Sequence, residues 1–320
     1  MGIVRKFMGK DAESFDFKDI IYEKKDWIAR VTINRPEVLN TYRTETLREM
    51  LLAFEDASND DSVAVLVLTG AGEKAFCTGG DVQEYKESFT TVPRDFVKWG
   101  RLFMSVNDKL RHLGKPTIAR VNGMAVGGGN EFQISCDLAI AAEHAKFFQV
   151  GTGVGSVAAV SCWFLPLMIG DRRAREMLLL NKRIDAKTAL EWGLINQVVP
   201  MEKLDEAVNE MAQQLIHKFP DCLRYTLQQT NYFKDQIASV LGNEATDWLA
   251  IHFSSLETYE GMTSFVEKRK TDYLKVRKLA AEGKSSEYLW GPPVKECPQC
   301  GAKGIPGEFQ YCGVCGSKLG

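Results

Sequence analysis

Two glycine-rich turns are the places where main chain could bind a ligand closely. One is the Gly-Gly-Asp run at 79–81, and the other is the Gly-Gly-Gly run at 127–129. A turn that leads into a helix leaves its N–H groups unpaired at the positive end of the helix dipole. If the N–H groups of both turns converge, they can bind a carbonyl oxygen that becomes negative during a reaction. The alternative is that each turn is only a tight connection.

Glu131 is the candidate for acid–base chemistry beside these turns. It follows Gly128 by three residues, close to one turn along the predicted helix, so its carboxylate could face the same pocket as the Gly128 N–H. A surface carboxylate is the alternative. Neither turn fits a dinucleotide or P-loop motif, which argues against a nucleotide phosphate site. The histidines show neither metal spacing nor a nucleophile signature, and we assign them no catalytic role.

Four cysteines near the C-terminus form two CxxC pairs separated by 11 residues, with a glycine directly after each pair. Two such pairs supply four thiolates at tetrahedral reach and leave no open position, which predicts a structural zinc. A redox dithiol, which needs only one CxxC, is the alternative. The predicted ligands are Cys297, Cys300, Cys312 and Cys315.

The elements that would position these residues alternate between helix and buried strand, which indicates an α/β layer fold. A hairpin is predicted from strands at 20–23 and 27–33 around a turn at 24–26. Thr44 is the predicted N-cap of the first helix, and the sequence beyond 158 is mainly helical. The remaining predicted elements are helices at 44–57, 96–113 and 127–136, with strands at 63–68, 117–121 and 138–142.

Bulk composition limits the partners of the chain. The 320 residues carry 40 basic and 42 acidic side chains, a net charge of -2, so no global field attracts nucleic acid or an anionic membrane. No apolar run reaches membrane-span length and no export signal is seen, so we expect a cytoplasmic protein. A composition break at 285–294 indicates a linker before the cysteine segment.

Several linked motifs over about residues 17–278 resemble the crotonase (enoyl-CoA hydratase/isomerase) superfamily. The resemblance implies a spiral of ββα units with a helical C-terminal region, assembled as a trimer or a pair of trimers. The implied division is a lead-in at 1–16, the spiral core at 17–200, the helical region at 201–284, and a linker with a zinc ribbon at 285–320. The motifs are the Asn-Arg-Pro at 34–36, the runs at 75–81 and 115–131, the Cys-Asp-Leu-Ala-Ile-Ala at 136–141, the Phe-Phe-Gln at 147–149 and the run at 189–195.

The same resemblance implies an acyl-coenzyme A substrate and assigns site residues. The N–H groups of Gly80 and Gly128 would form an oxyanion hole for the thioester carbonyl, with Glu131 as one of two acids that activate water. The matching position for the second acid is Gly151. The sequence at 149–156 resembles the branch that contains dihydroxynaphthoyl-CoA synthase and alicyclic ketoacyl-CoA hydrolases, but the acid of that branch is also missing from 157–159.

Substrate contacts are implied for five further residues. Arg43 could reach the coenzyme A phosphates, while Lys268 and Tyr273 match a motif that approaches the adenine end. Thr78 and Asp81 flank the first glycine turn. The reaction is expected to be water addition to, or removal from, a cyclic enoyl-CoA. A ring-opening hydrolase and a catalytically weak scaffold that binds acyl-CoA, or a protein partner through the zinc ribbon, are the alternatives.

Overall fold

The computed structural model describes residues 6–89 and 92–320. Within these two ranges every helix is too short or too polar to serve as a transmembrane span. Residues 12–14 form a short 3-10 turn ahead of the first strand.

A six-stranded sheet forms the centre of the chain. Its first two strands pair antiparallel, and each following neighbour is parallel. The strand β3 (Val65–Gly70) is buried at every position, as a continuous apolar run requires. In spatial order the strands are β1 (Ile20–Lys25), β2 (Ile28–Ile33), β3 (Val65–Gly70), β5 (Thr117–Val121), β7 (Leu138–Ala142) and β10 (Gln197–Val199).

A second, four-stranded sheet collects the short strands that follow the long ones along the chain. Thus β3, β5 and β7 each belong to the larger sheet, and the strand after each belongs to the smaller one. This alternation is the predicted spiral of ββα units. The smaller sheet contains β4 (Ala75–Cys77), β6 (Met124–Val126), β8 (Lys146–Phe148) and β9 (Ile184–Asp185).

Helices complete the spiral and then form the predicted helical C-terminal region. The short helix α2 (Val82–Glu84) continues as a π-helical turn over Tyr85–Phe89. The other helices are α1 (Thr44–Asn59), α3 (Pro93–Arg111), α4 (Gly128–Ser135), α5 (Ser161–Ile169), α6 (Asp171–Leu180), α7 (Ala186–Trp192), α8 (Leu204–Ile216), α9 (Pro220–His252), α10 (Leu256–Val266) and α11 (Tyr273–Ala281).

The larger sheet is covered on both faces. On one face, Val31, Leu68 and Val121 join the main core with α1 and α3. On the other, Val67 and Ile118 pack against α8 in a smaller cluster. Burial on both faces explains why β3 is a nearly continuous apolar run rather than an alternating one.

Local predictions near the N-terminus were partly wrong. The first hairpin strand extends to Lys25, into the predicted turn, and the second begins at Ile28 rather than at 27. The chain reverses at Asp26 and Trp27, which take φ values of 51° and 69°. Thr44 is not the N-cap of α1 but its first helical residue. Arg43 is the N-cap, and its N–H donates to Oγ1 of Thr46 over 3.1 Å.

The C-terminal segment folds around its cysteines. Strands β11 (Pro293–Lys295) and β12 (Ile305–Pro306) pair antiparallel. The small core contains two of the cysteines together with Ile305 and Leu319.

Candidate active site

The two glycine turns lie side by side. They leave the carboxyl ends of β4 and β6, which are parallel neighbours with Cys77 opposite Ala125. A Cβ placed on Gly79 would lie 3.6 Å from the backbone nitrogen of Gly128, so the turns are in contact. The structure therefore brings together the two backbone segments that the sequence singled out.

Backbone conformation orients the two N–H groups of interest. Gly79 and Gly127 take φ values of 95° and 53°, where a side chain would be strained. The N–H of Tyr42 donates to the Gly79 carbonyl over 2.9 Å, and the Tyr42 carbonyl accepts from the N–H of Asp81 over 2.8 Å. These bonds hold the residues on both sides of Gly80. In the described part of the chain, the N–H of Gly80 donates to no acceptor, and that of Gly128 opens α4.

Glu131 is buried, with 4% of its surface exposed, so the surface-carboxylate alternative is wrong. Its Oε1 accepts hydrogen bonds from the N–H groups of Val160 (2.7 Å) and Ser161 (2.8 Å) at the start of α5. Burial raises the pKa of Glu131 to about 7, although these bonds favour the charged form. Such a carboxyl can take up and release a proton near neutral pH.

A polar network behind Glu131 was missed from the sequence. Ser161 hydrogen-bonds the Glu131 carboxylate, and its Oγ accepts from Nε2 of Gln149 over 2.7 Å. Gln149 ends the Phe-Phe-Gln motif, but nothing local in that motif says which group the amide contacts.

Two tyrosines beside the turns were also missed. A Cβ on Gly128 would overlap the hydroxyl oxygen of Tyr42, and one on Gly80 would overlap that of Tyr85. The sequence offered one signal for this site. Tyr42 stands where the crotonase motif that this segment resembles has phenylalanine.

Gly151, at the expected position of the second acid, has no room for a side chain. A Cβ there would lie 2.9 Å from Cα of Val157 and 3.0 Å from the Ser156 carbonyl oxygen. An apolar cavity of about 280 Å³ lies beside this segment, lined in part by Ala158 and Cys162. The position expected for the second acid therefore has backbone atoms where its side chain would be.

The predicted substrate-binding residues near the first turn make contacts within the chain. Arg43 forms a bidentate ion pair with Asp19, with both N–O distances at 2.8 Å. Asp81 caps α2 and pairs with Arg35 over 3.1 Å. The hydroxyl of Thr78 donates to the carbonyl of Leu39 over 3.1 Å. Their roles in binding stay predictions.

Lys268 and Tyr273 lie on the C-terminal helical region. Tyr273 begins α11, and its hydroxyl donates to the carbonyl of Gly153 over 3.2 Å, in the segment after β8. Lys268 follows α10 with a φ of 54°. Both residues lie on a different part of the chain from the glycine turns, and their contact with coenzyme A stays a prediction.

The four C-terminal cysteines form a site that could hold a metal. Their sulfur atoms all lie within 4.8 Å of one another, with Cys297–Cys315 at 3.6 Å and Cys300–Cys312 at 3.7 Å. Tetrahedral zinc with bonds of about 2.3 Å separates its sulfurs by roughly 3.8 Å. The donor set and spacing therefore fit zinc.

Both CxxC pairs have the same backbone frame. The N–H of Cys297 donates to the carbonyl of Ala302 and that of Cys312 to the carbonyl of Ser317, each over 2.8 Å. The glycines at 301 and 316 take φ values of 71° and 74°, as tight turns after each pair require. Two matching turns thus present the thiols to one centre.

Comparison with known proteins places the chain in a family. Residues 23–275 match the enoyl-CoA hydratase/isomerase family, and the chain belongs to it. An enoyl-CoA hydratase/isomerase from Xanthobacter autotrophicus Py2 shares 27% identity at a TM-score of 0.73, over 78% of this chain and 94% of that one. An enoyl-CoA hydratase from Bacillus anthracis shares 28% identity at a TM-score of 0.64, over 80% of this chain and 99% of that one. The fold is also that of an enoyl-CoA hydratase from Mycobacterium avium subsp. paratuberculosis K-10, at 24% identity, a TM-score of 0.72, and 80% and 99% coverage.

Proposed function

We propose that this protein is an acyl-CoA lyase of the enoyl-CoA hydratase type, acting on a cyclic enoyl-CoA through an enolate. One observation carries the proposal. Helix α4 begins at Gly128, whose backbone nitrogen lies beside the neighbouring glycine turn, and one turn later it buries Glu131, whose pKa is raised to about 7. An oxyanion donor and a proton carrier on one helical turn suit enolate chemistry.

In the proposed reaction, the N–H groups of Gly80 and Gly128 bind the thioester carbonyl oxygen. The oxygen of water bonds to the β-carbon while Glu131 takes a proton from that water, and the negative charge moves to the thioester oxygen. Glu131 then returns the proton to the α-carbon and the carbonyl re-forms. Atoms and charge balance with a single carboxyl group, so no acid at Gly151 is needed.

A ring-opening hydrolase of a cyclic ketoacyl-CoA is the second candidate. The backbone packed against Gly151 favours this candidate, because it leaves no space for the second acid with which a hydratase would activate water. The resemblance to the dihydroxynaphthoyl-CoA synthase and alicyclic hydrolase branch also supports it. A weakly catalytic acyl-CoA-binding scaffold is the third.

A screen of linear and cyclic enoyl-CoA thioesters by mass spectrometry tests the proposal, with Glu131→Gln as the matched variant. We expect the mass of one water to be gained, and turnover to fall by about 100- to 10,000-fold in the variant. Gain of water with ring opening gives a product of the same mass, which isotope tracing distinguishes, and it supports the second candidate. Absent turnover in both proteins excludes the lyase and leaves the scaffold, whereas equal turnover in both excludes Glu131 as the proton carrier.

The remaining assignments extend this proposal. We expect the cysteine site to hold a structural zinc, because four protein thiolates leave no position for substrate.

We also expect the chain to assemble as a trimer or a pair of trimers, since α9 exposes large apolar side chains such as Val240, Trp248 and Ile251. A solution mass of one 35.8 kDa chain would contradict this assembly. The cytoplasmic location stays a prediction.

A further inference from the structure

Two tyrosine hydroxyl groups contact the oxyanion turns and have no part in the mechanism given above. The hydroxyl of Tyr42 lies against the α-carbon of Gly128, and that of Tyr85 against the α-carbon of Gly80. The two hydroxyls hydrogen-bond each other. The pair therefore spans the same two residues whose N–H groups form the oxyanion hole.

Aromatic packing fixes both rings. Tyr42 stacks on Phe103 with ring centres 5.4 Å apart and contacts Phe132 at 5.0 Å. Tyr85 meets Trp99 edge to face at 4.9 Å. Packing of this kind sets the direction of a hydroxyl before a ligand arrives, which is what electrostatic stabilisation of a transition state requires.

The hydroxyl groups keep their protons and are therefore suited to donate hydrogen bonds. Burial raises the pKa of both phenols above the usual value, so both stay neutral at pH 7. The two hydroxyls share one hydrogen bond in which either can be the donor, so only one of their two protons is used in it. A hydroxyl that accepts one hydrogen bond still has its own proton to donate.

We propose that the hydroxyl pair of Tyr42 and Tyr85 is a third hydrogen-bond donor of the oxyanion site. It acts on the enolate oxygen together with the N–H groups of Gly80 and Gly128. This inference rests on the proposed function. In the opposing explanation, the phenols only fill space beside the glycines, and phenylalanine would serve equally well.

Acetoacetyl-CoA is the probe, because its enolate has a near-ultraviolet absorbance that its keto form lacks. The variants are Tyr42→Phe and Tyr85→Phe. The matched control is Tyr22→Phe, which removes another buried hydroxyl, one that donates to Asp56 over 2.7 Å from strand β1. We expect the bound enolate-to-keto ratio to fall about 100-fold in each test variant, the usual effect of removing one oxyanion donor. Tyr22→Phe should keep the wild-type ratio.

The outcomes separate the inference from the proposed function. An enolate ratio that is unchanged or increased in both test variants overturns the third donor while the function stands. A wild-type protein that binds no enolate overturns both. Thermal unfolding identifies any variant that fails to fold. The enolate ratio of the other tyrosine variant then tests the proposal, because the loss of either hydroxyl breaks the pair.

Discussion

At the scale of single residues, the site depends on Glu131 being buried beside a helix start. The N–H groups of Val160 and Ser161 stabilise its charged form, while burial opposes it. The balance leaves a carboxyl group that changes protonation near neutral pH. An exposed glutamate would be ionised at that pH and a poor proton donor.

The raised pKa of Glu131 predicts a specific dependence of stability on pH. Because the folded pKa, about 7, exceeds the ordinary value of 4.5, the neutral acid stabilises the folded chain at low pH, and this contribution is lost as pH rises through 7. Between pH 5 and 8 the loss is on the order of 2 kcal/mol. Glu131→Gln should remove that part of the pH dependence of the free energy of unfolding.

Urea unfolding of both proteins at the two pH values measures this difference. Other groups, such as Asp137, titrate in both proteins and cancel in the comparison. Equal pH slopes for wild type and variant would show that Glu131 is not a buried acid of raised pKa.

At the scale of elements, the site depends on two short parallel strands that end side by side. Neither β4 nor β6 exceeds three residues, yet their pairing sets the distance between the glycine turns. Gly127, with a φ of 53°, is the N-cap of α4 and directly precedes the first N–H of that helix. We therefore expect the backbone angle at Gly127 to matter for activity as well as for stability.

Gly127→Ala and Gly114→Ala form a matched pair of variants. Both glycines have positive φ, at 53° and 81°, and neither has an atom closer than 3.5 Å to an added Cβ. Each alanine should cost on the order of 1–3 kcal/mol of stability through backbone strain, with Gly127→Ala the costlier because its ψ of -125° lies outside the left-handed helical region. Only Gly127→Ala should also lower kcat on the enoyl-CoA found in the screen, because it displaces the Gly128 N–H. Equal kcat values for the two variants would argue against this role of the turn.

At the scale of the whole molecule, the chain joins an enzyme-sized α/β body to a small cysteine segment. The C-terminal segment has a core of few apolar side chains, among them Ile305 and Leu319. A core of this size cannot offset chain entropy without a metal or a disulfide. The two parts should therefore respond differently to loss of metal.

Cys312→Ser should lose bound zinc and unfold the segment after about residue 290, while the body keeps its melting temperature. The buried Cys312 thiol is one of the four proposed ligands, whereas Cys222 is an exposed cysteine on α9 and serves as the control when changed to serine. Metal analysis should give about one zinc per chain for wild type and Cys222→Ser and near zero for Cys312→Ser, because a structural zinc site needs all four of its ligands. Protease cleavage near 290 only in Cys312→Ser would complete the result, and full zinc in that variant would contradict it.

Features that depend on residues close together in the chain could be predicted from the amino-acid sequence. Consecutive motifs indicated the crotonase fold, the glycine turns and Glu131, and the CxxC spacing indicated the metal site, because each depends on residues a few positions apart. Contacts between segments that are far apart in the chain could be seen only in the tertiary structure. Arg43 pairs with Asp19, and Tyr42 and Tyr85 converge on the glycine turns, since strand pairing and core packing set those contacts. The closed backbone at Gly151 has the same origin, because a single-letter sequence cannot show how much space a glycine has around it.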